Sequence, residues 1–585
     1  MKTIAIIIAG LLYFQAFTPQ VKGQIVPKDP TIPEGLYIHT DRELFVAGEY
    51  LLFSLSLFNG NGKTRDNQQE MSRYAYLVLR NENEMIDHQT VKLESGSAHG
   101  GFYLEDTLST GYYELLGFTN WMRNQVPETF YRKHIFVANR FDETLDFPTP
   151  DSDEPVAHES YPGQPQQTAT LNNNFRLEVN ANTLSRRTKS RINIEADVPD
   201  DHRGRFTVSI APEKAYLPHN RSLREYLSAL EEYFPAHDPA TQPFPYFMET
   251  DGVIVSGIVT GNNGQAAPGA RVTLSKIDTI VNLKYADACA GGLVHFLLDP
   301  YYDGSRLFFS VLPGEDNTGK TLRLFDQTEV GFPFAVPENN PGREQKELLA
   351  RSQEIVRIQK AYEINHHILS RDTDKEMFPP LVYSEANDTF YPEEYIPLND
   401  VYEITRELIS PWRIRGRGEE AVHLMTDATL RQRMNDTPVF FADGVITGNI
   451  LPYLELGSED LLKIEAHDYN WQYGNMSFPG IIGIFTKDPE FHFDHLRENY
   501  VTMVADNPAV SLRFKSPEHP ETTNYDKPDA RQILLWEPDM DIQGGQTVSL
   551  PFYTSDIGGR YVVTLQGITD RGEPVFQQQI IEVQL

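Results

Sequence analysis

Two histidines and an acid fall within four residues at His492-Phe493-Asp494-His495, with Asp488 and Glu490 just ahead of them. A metal ion needs three or four convergent ligands with a supporting outer shell. On a strand, His492 and Asp494 share one face while His495 points to the other, so the stretch reads as a polar loop. His366-His367 lies in a helical pattern, where adjacent residues face different ways. Ser97-Ala98-His99 sits in the loop LESGSAHGG, which lacks the G-x-S-x-G elbow of a nucleophilic serine. The chain has no P-loop, dinucleotide fingerprint or H-E-x-x-H. No catalytic, cofactor-binding or metal residue is assigned, and a non-enzyme is expected. Cys289, the single cysteine, excludes an intrachain disulfide and reads as a small buried residue in ADACAGG. Aromatics at strand ends are the better functional candidates: Trp471 and Tyr473 in NWQY, and Trp121 in NWM. Tryptophan anchors partners and also fills cores; both roles stay open.

The elements that would carry these residues are mostly short strands. Leu36–Gly60 gives a strand, a polar turn and an alternation of Phe53, Leu55 and Leu57 with Ser54 and Ser56, the period of a half-buried strand. Ala75–Leu93 reads as a hairpin around Asn81–Asn83, and Gly111–Met122 as a further strand. These predict a first antiparallel sandwich over 24–141, after a signal peptide at 1–23. A Pro/Asp/Glu/Gln-rich linker follows over 142–170. A second sandwich is expected at 171–250, where Ile192, Ile194, Ala196 and Val198 alternate and Leu223, Tyr226, Leu227 and Leu230 stand at helical spacing as core packing. Its Arg186, Arg187, Lys189 and Arg191 read as a solvated turn or an anion seat.

A third sandwich is placed at 251–337 and a helical connector at 338–389. Leu348, Ile355, Tyr362 and Leu369, seven apart, fit either a coiled-coil seam or a helix packed on its neighbours. An α+β domain at 390–490 and a final sandwich at 491–585 complete the division. Gly111-Tyr112 before Gly117-Phe118-Thr119 parallels Gly559-Arg560-Tyr561 before Gly567-Ile568-Thr569, a sign of a repeated domain type. The fold class is therefore mainly β: tandem antiparallel, immunoglobulin- or macroglobulin-like sandwiches, one α+β domain and one long helix.

Composition narrows the partners. Asp and Glu number 83 against 51 Lys and Arg, a net charge of −32, and such a field repels a nucleic-acid backbone. Lys2, the apolar run Ile4–Phe14 and Val21-Lys22-Gly23 form a charged, an apolar and a cleavage region. That run is short of the ~20 residues a membrane helix needs, and no cysteine follows it to take a lipid. An exported, soluble mature protein without a transmembrane span is expected.

Three stretches resemble known families. Tyr37, His39, Asp41, Ala47, Gly48 and Glu49 in YIHTDRELFVAGE resemble the macroglobulin-type sandwich domain. Gly257, Val259, Gly264, Pro268, Val272 and Leu274 are similar to the carboxypeptidase regulatory-like sandwich. PVFFADGV, SEDLLKIEAH and YGNMSFPGIIGIFTK resemble, in order and spacing, the plug domain of TonB-dependent receptors. Asp443-Gly444 matches its strand-ending turn, Ile464-Glu465 its second strand, and Tyr473-Gly474 with Gly480-Ile481-Ile482 its last hairpin. Tyr395–Trp412 looks like the lead-in helix before such plugs. The combination resembles exported proteins of Bacteroidetes-type bacteria. The chain departs from these families in two respects: only Asp488–Leu585 follows the plug-like stretch, too little for a barrel of about 22 strands, and Ala288-Cys289-Ala290 is not a Cys-Gly-Glu-Gln thioester.

The resemblance implies a non-enzymatic scaffold or accessory of the bacterial envelope. It would bind outer-membrane or periplasmic proteins, from the periplasm or the outer membrane. The alternatives are a small-molecule- or glycan-binding accessory of a TonB-dependent importer and a macroglobulin-type protease trap without thioester.

Overall fold

A computed structural model describes residues 33–59, 71–145, 147, 168–171, 174–233, 246–312, 319–364, 367–370, 379–383, 385–427, 430–434, 436–489, 500–509, 511–519 and 528–585. The signal-peptide reading, His366 and the His492–His495 motif lie outside the described residues. The chain is mainly β and divides into two compact units.

The larger unit takes residues 33–253, 326–375 and 507–585. Its first sandwich sets the sheet Glu34–Thr40, Tyr50–Asn59, Ser97–Tyr103 against a sheet ordered Leu44–Val46, Tyr131–Ala138, Gly111–Phe118, Tyr74–Arg80, Met85–Lys92. Leu36, Ile38, Phe53, Leu55, Leu77, Phe102 and Leu115 fill the space between them. Ser54 is buried as well, because its hydroxyl donates to Pro538 O at 2.7 Å from another sheet. The helix Leu223–Tyr233 buries its predicted stripe in this same core. Its Tyr226 hydroxyl donates to Thr129 O at 2.6 Å and accepts from Leu36 N at 3.3 Å.

The second and last expected sandwiches, at 171–250 and 491–585, are one. Phe175–Val179 and Lys189–Ala196 share a sheet with Thr547–Tyr553. Arg203–Pro212 lies between Gly559–Thr569 and Leu535–Gln543 in the facing sheet. Each sheet takes strands from both segments, so the two complete one another. The expected linker 142–170 ends in a strand, Thr168–Leu171, paired with Phe576–Gln579. At the edge strand Phe175–Val179, Leu177 N and Val179 N donate to the side chains of Gln577 and Gln579, and Gln577 Nε2 donates to Phe175 O. Glutamines of the opposite sheet thus occupy backbone groups that would otherwise template aggregation. The repeat seen in sequence has a structural counterpart: Tyr113 and Tyr561 each donate to the carbonyl four residues earlier, Ser109 O at 2.9 Å and Ile557 O at 2.8 Å, as a tyrosine corner does.

The connector helix is Arg343–Ala361 and buries Leu349, Ile355 and Val356, the first and last of them against Leu44, Val46, Phe136 and Leu217. That is helical packing on a domain, not a seven-residue seam. The helix stops before Tyr362, which is half exposed, and Leu369 lies in a strand paired with Ser511–Phe514.

Behind the first strand lies a cluster of buried charge: Asp41, Arg42, Glu43, Glu49 and Lys133. Arg42 Nη2 meets Glu49 Oε1 at 2.8 Å, and Lys133 Nζ meets Glu43 Oε1 at 2.8 Å. Asp41 accepts from Leu52 N, Glu49 from Val46 N and Glu43 from Leu217 N. Burial alone would lower the Lys133 ammonium; Glu43 and Tyr37 more than offset it and hold it above its ordinary value. Burial pushes the Asp41 carboxyl up to about 7, with Arg42 opposing.

The smaller unit takes residues 254–325 and 376–506. Val253–Thr260, Leu293–Leu298 and Thr321–Leu324 form one sheet of a sandwich. Arg271–Lys276, Lys284–Asp287 and Arg306–Val311 form the other, which gains Val501–Val504 from the segment expected to open the final sandwich. Cys289 is exposed rather than buried, in a turn where Gly292 N donates to Cys289 O at 2.8 Å. The α+β part is a sheet ordered Asp388–Phe390, Leu461–Tyr473, Met476–Thr486, Val439–Ala442, Val445–Thr447. The helices Val401–Glu407 and Leu451–Leu454 pack with it through Val401, Ile404, Tyr453, Leu454, Ile464, Ile482 and Ile484. The expected lead-in helix is shorter than Tyr395–Trp412. Asp400 caps it by accepting from Glu403 N at 2.7 Å, and Trp412 opens a strand. Asp443-Gly444 is the tight turn expected, with both residues at positive φ, 47° and 84°. Asp443 accepts from Thr486 N at 2.6 Å and from the Tyr453 hydroxyl at 3.2 Å. Among the described residues no helix is long and apolar enough to cross a membrane.

Lys133→Met leaves Glu43 buried without its cation and is expected to destabilise the larger unit by about 3–5 kcal/mol. Adding Glu43→Gln, which keeps an acceptor for Leu217 N, recovers part of that loss. Urea melts of the three chains check it, and a neutral Lys133→Met overturns it.

Candidate partner-binding surface

The smaller unit carries a long hairpin, Leu461–Tyr473 against Met476–Thr486. Tyr473 pairs with Met476, leaving the two-residue loop Gly474-Asn475. Gly474 stands at φ 60° while Asn475 has no positive φ, the Gly-x arrangement of a type II′ turn. A side chain at 474 would collide with the Tyr285 hydroxyl, which accepts from Asn475 N at 3.0 Å. Glycine therefore permits both the turn and the lock on its tip.

Below the tip the register slips between His467 and Asn470, opposite Pro479. The extra residue makes a β-bulge, and Pro479 has no N–H to lose from the ladder there. The bulge gathers an aromatic group. The His467 ring lies 4.0 Å from that of Tyr383, 5.3 Å from Trp471 and 5.8 Å from Tyr469. Trp471 Nε1 donates to Val382 O at 3.0 Å, and the Tyr473 hydroxyl donates to Leu283 O at 2.6 Å. Tyr469, Trp471 and Tyr473 are each half-buried, so pinned rings still offer part of their faces to solvent.

At the base of the group, Glu465 Oε1 meets Lys463 Nζ at 2.6 Å and Glu465 Oε2 accepts from the Tyr383 hydroxyl at 2.8 Å. Burial, and then Glu465, raises that hydroxyl above its usual range. His467 is 2% exposed, and neither ring nitrogen has a hydrogen-bond partner among the described residues. Burial pushes it down to about 4 while Glu465 acts the other way, so the ring is neutral at pH 7.

Two of the three aromatic candidates from the sequence, Trp471 and Tyr473, are thus brought together. Trp121 is elsewhere, 5% exposed in a short turn of the larger unit, where it fills core. His467, Tyr469, Tyr383 and Tyr285 were not anticipated. The run His467, Tyr469, Trp471, Tyr473, one ring at every second residue, was the available signal for two of them. Of the other stretches with chemistry, the Ser97 hydroxyl is engaged by Arg205 Nη1 at 2.5 Å and by Asp539 at 3.3 Å rather than by His99. Arg187 of the basic turn grips Asp556 through two nitrogens, at 2.6 and 2.5 Å. No group of three or more metal-ligating side chains occurs among the described residues.

No family model and no curated protein matches the chain. Among solved structures it is similar to alpha-2-macroglobulin of Escherichia coli activated by porcine elastase, at 9% identity and a TM-score of 0.24, over 94% of this chain and 44% of that one. The Y1175G mutant of Salmonella alpha-2-macroglobulin gives 9% and 0.24, over 96% and 40%. The Escherichia coli adhesin FdeC gives 8% and 0.14, over 49% and 62%. The chain spans less than half the length of these macroglobulins, and a likeness at these scores assigns no family.

The depressed His467 has a consequence for acid stability. Unfolded, its pKa returns to about 6.5, so between pH 6.5 and 4 the unfolded state binds more protons and stability falls as pH falls. His295 and His423 in the same unit are also lowered by burial. His467→Phe is therefore expected to make the drop in melting temperature from pH 6.5 to 4.5 shallower without abolishing it. Melting curves across that range decide; an unchanged slope contradicts the assignment.

Proposed function

We propose that this chain is a non-catalytic, exported scaffold of the bacterial envelope that binds another protein through the aromatic hairpin Leu461–Tyr473/Met476–Thr486. The observation that carries the reading is that Trp471 and Tyr473, half-buried, are fixed by hydrogen bonds to Val382 O and Leu283 O. Tyrosine and tryptophan dominate the binding energy of protein interfaces. Rings ordered before contact lose little entropy on binding. The macroglobulin-like, regulatory-like and plug-like stretches of sequence support an envelope location, in the periplasm or at the outer membrane.

A second reading, a glycan-binding accessory of an importer, has one observation in its favour. On the face of the hairpin opposite the rings, Gln472 Nε2 donates to Ser477 Oγ and Ser477 Oγ donates to Asn470 Oδ1, each at 2.9 Å and all exposed. Exposed amides and a hydroxyl on that face offer donors and acceptors to the hydroxyls of a sugar.

A photo-crosslinking residue at Gln472, in the chain expressed in envelope-bearing cells, separates the readings. The scaffold reading expects discrete protein adducts, weakened at least tenfold by Trp471→Ala or Tyr469→Ala in chains that melt normally. A saturable thermal shift with an oligosaccharide and no adduct supports the glycan reading. If neither result is obtained, the hairpin has no binding role and the proposal fails.

A further inference from the structure

Residues 326–341, DQTEVGFPFAVPENNP, contain no helix or strand, yet in the larger unit they lie along three neighbouring strands of the first sandwich. They are held by side chains, not by strand pairing. Arg123 Nη2 donates to Asp326 O at 2.7 Å and to Glu329 O at 3.2 Å. Arg80 donates to Phe332 O at 3.2 Å and to Pro333 O at 3.3 Å. His134 Nε2 lies 2.7 Å from Ala335 O, and the Tyr112 hydroxyl donates to Asn339 O at 2.7 Å. The Phe332 ring sits 4.0 Å beneath the Arg132 guanidinium and 5.2 Å from Phe130. Phe334 meets His134 edge-on at 6.0 Å.

The receiving face is organised independently of what lies on it. Glu114, fully buried, holds Arg80 through Nε at 2.7 Å and Nη2 at 2.5 Å and faces Arg132 at 3.8 Å. It is bonded to none of residues 326–341 through any of these contacts. Side-chain donors aimed at main-chain carbonyls, with a cation–π slot for the ring before a proline and an edge-on imidazole for the ring after it, are the chemistry by which domains take extended proline-containing peptides.

We infer that this sheet face is a recognition groove for an extended aromatic–Pro–aromatic segment of a partner protein, and that residues 326–341 occupy it in cis as a competitive strap. The groove is built from residues of the larger unit and the aromatic hairpin from residues of the smaller, so failure of one reading leaves the other intact. The occupant's chemistry is read from the strap itself: carbonyls at each step, phenyl rings flanking proline, and no charged side chain among positions 330–337. A tethered strap competes at an effective concentration of roughly millimolar, so a free peptide engages the intact chain only weakly.

The test uses the full chain and a fluorescein-labelled peptide GFPFAVPENN. Phe332→Ser with Phe334→Ser loosens the strap while leaving the groove untouched, and is expected to raise peptide affinity at least tenfold over the parent. Tyr112→Phe added to that chain weakens binding again, and a peptide with both phenylalanines changed to serine binds to none of them. In parallel, excess unlabelled peptide added to the unaltered chain is expected to shift the amide resonances of Val330, Gly331 and Phe332. The inference is overturned if the loosened chain melts normally yet binds no tighter than the parent, or if the serine peptide binds equally. Should the loosened chain not fold, unchanged resonances in the parent under saturating peptide overturn it instead.

Discussion

The larger unit is organised around charge that has been taken out of water. Arg42 and Lys133 are matched by Glu43 and Glu49, and burial pushes Asp41 beside them up to about 7 while Arg42 opposes it. The balance is close enough that each member depends on the others, since a buried ion without its partner costs more than the pair returns. The cluster also joins pieces far apart in the chain. Glu43 accepts from Leu217 N, Glu49 accepts from Gln532 Nε2 at 3.2 Å, and Gln532 in turn accepts from the Ser352 hydroxyl at 2.7 Å. Strand, turn, long helix and the approach to the second sandwich all meet there. Apolar packing would tolerate several arrangements of these parts; a set of directional buried bonds tolerates few.

Much of this was legible in the residues. The alternation of Phe53, Leu55 and Leu57 identified a strand, the stripe Leu223, Tyr226, Leu227, Leu230 a helix, and Asp443-Gly444 a tight turn, because each depends on neighbours in sequence. What escaped depends on distant partners. Nothing local in Ile192–Ala196 says that its sheet is completed by Thr547–Tyr553, and the alternating pattern suits any sandwich equally. The heptad of Leu348, Ile355, Tyr362 and Leu369 misled because the helix stops at Ala361, and its buried residues include Leu349 rather than Leu348. Cys289 was judged by its small neighbours, whereas its exposure follows from the turn it sits in.

The candidate surface was half legible. Trp471 and Tyr473 stood out by residue type, but Trp121 did as well and fills core. Only the bulge opposite Pro479 and the glycine under Tyr285 decide that rings along one strand are gathered and held. Both features are matters of register, which a single strand's sequence does not carry. The spacing of the rings marks His467 as a member of the group, but its burial among them is a property of the packed hairpin and not of the motif EAHDY.

The interleaved second sandwich sets a condition on when this protein can become whole. Arg203–Pro212 is flanked on both sides by strands drawn from Leu535–Thr569, so more than three hundred residues of chain must be made before it gains either neighbour. Contacts this distant form late and slowly. A chain emerging from a ribosome carries that strand unsatisfied for more than half of its synthesis. That exposes nascent chains to chaperones and proteases throughout that interval.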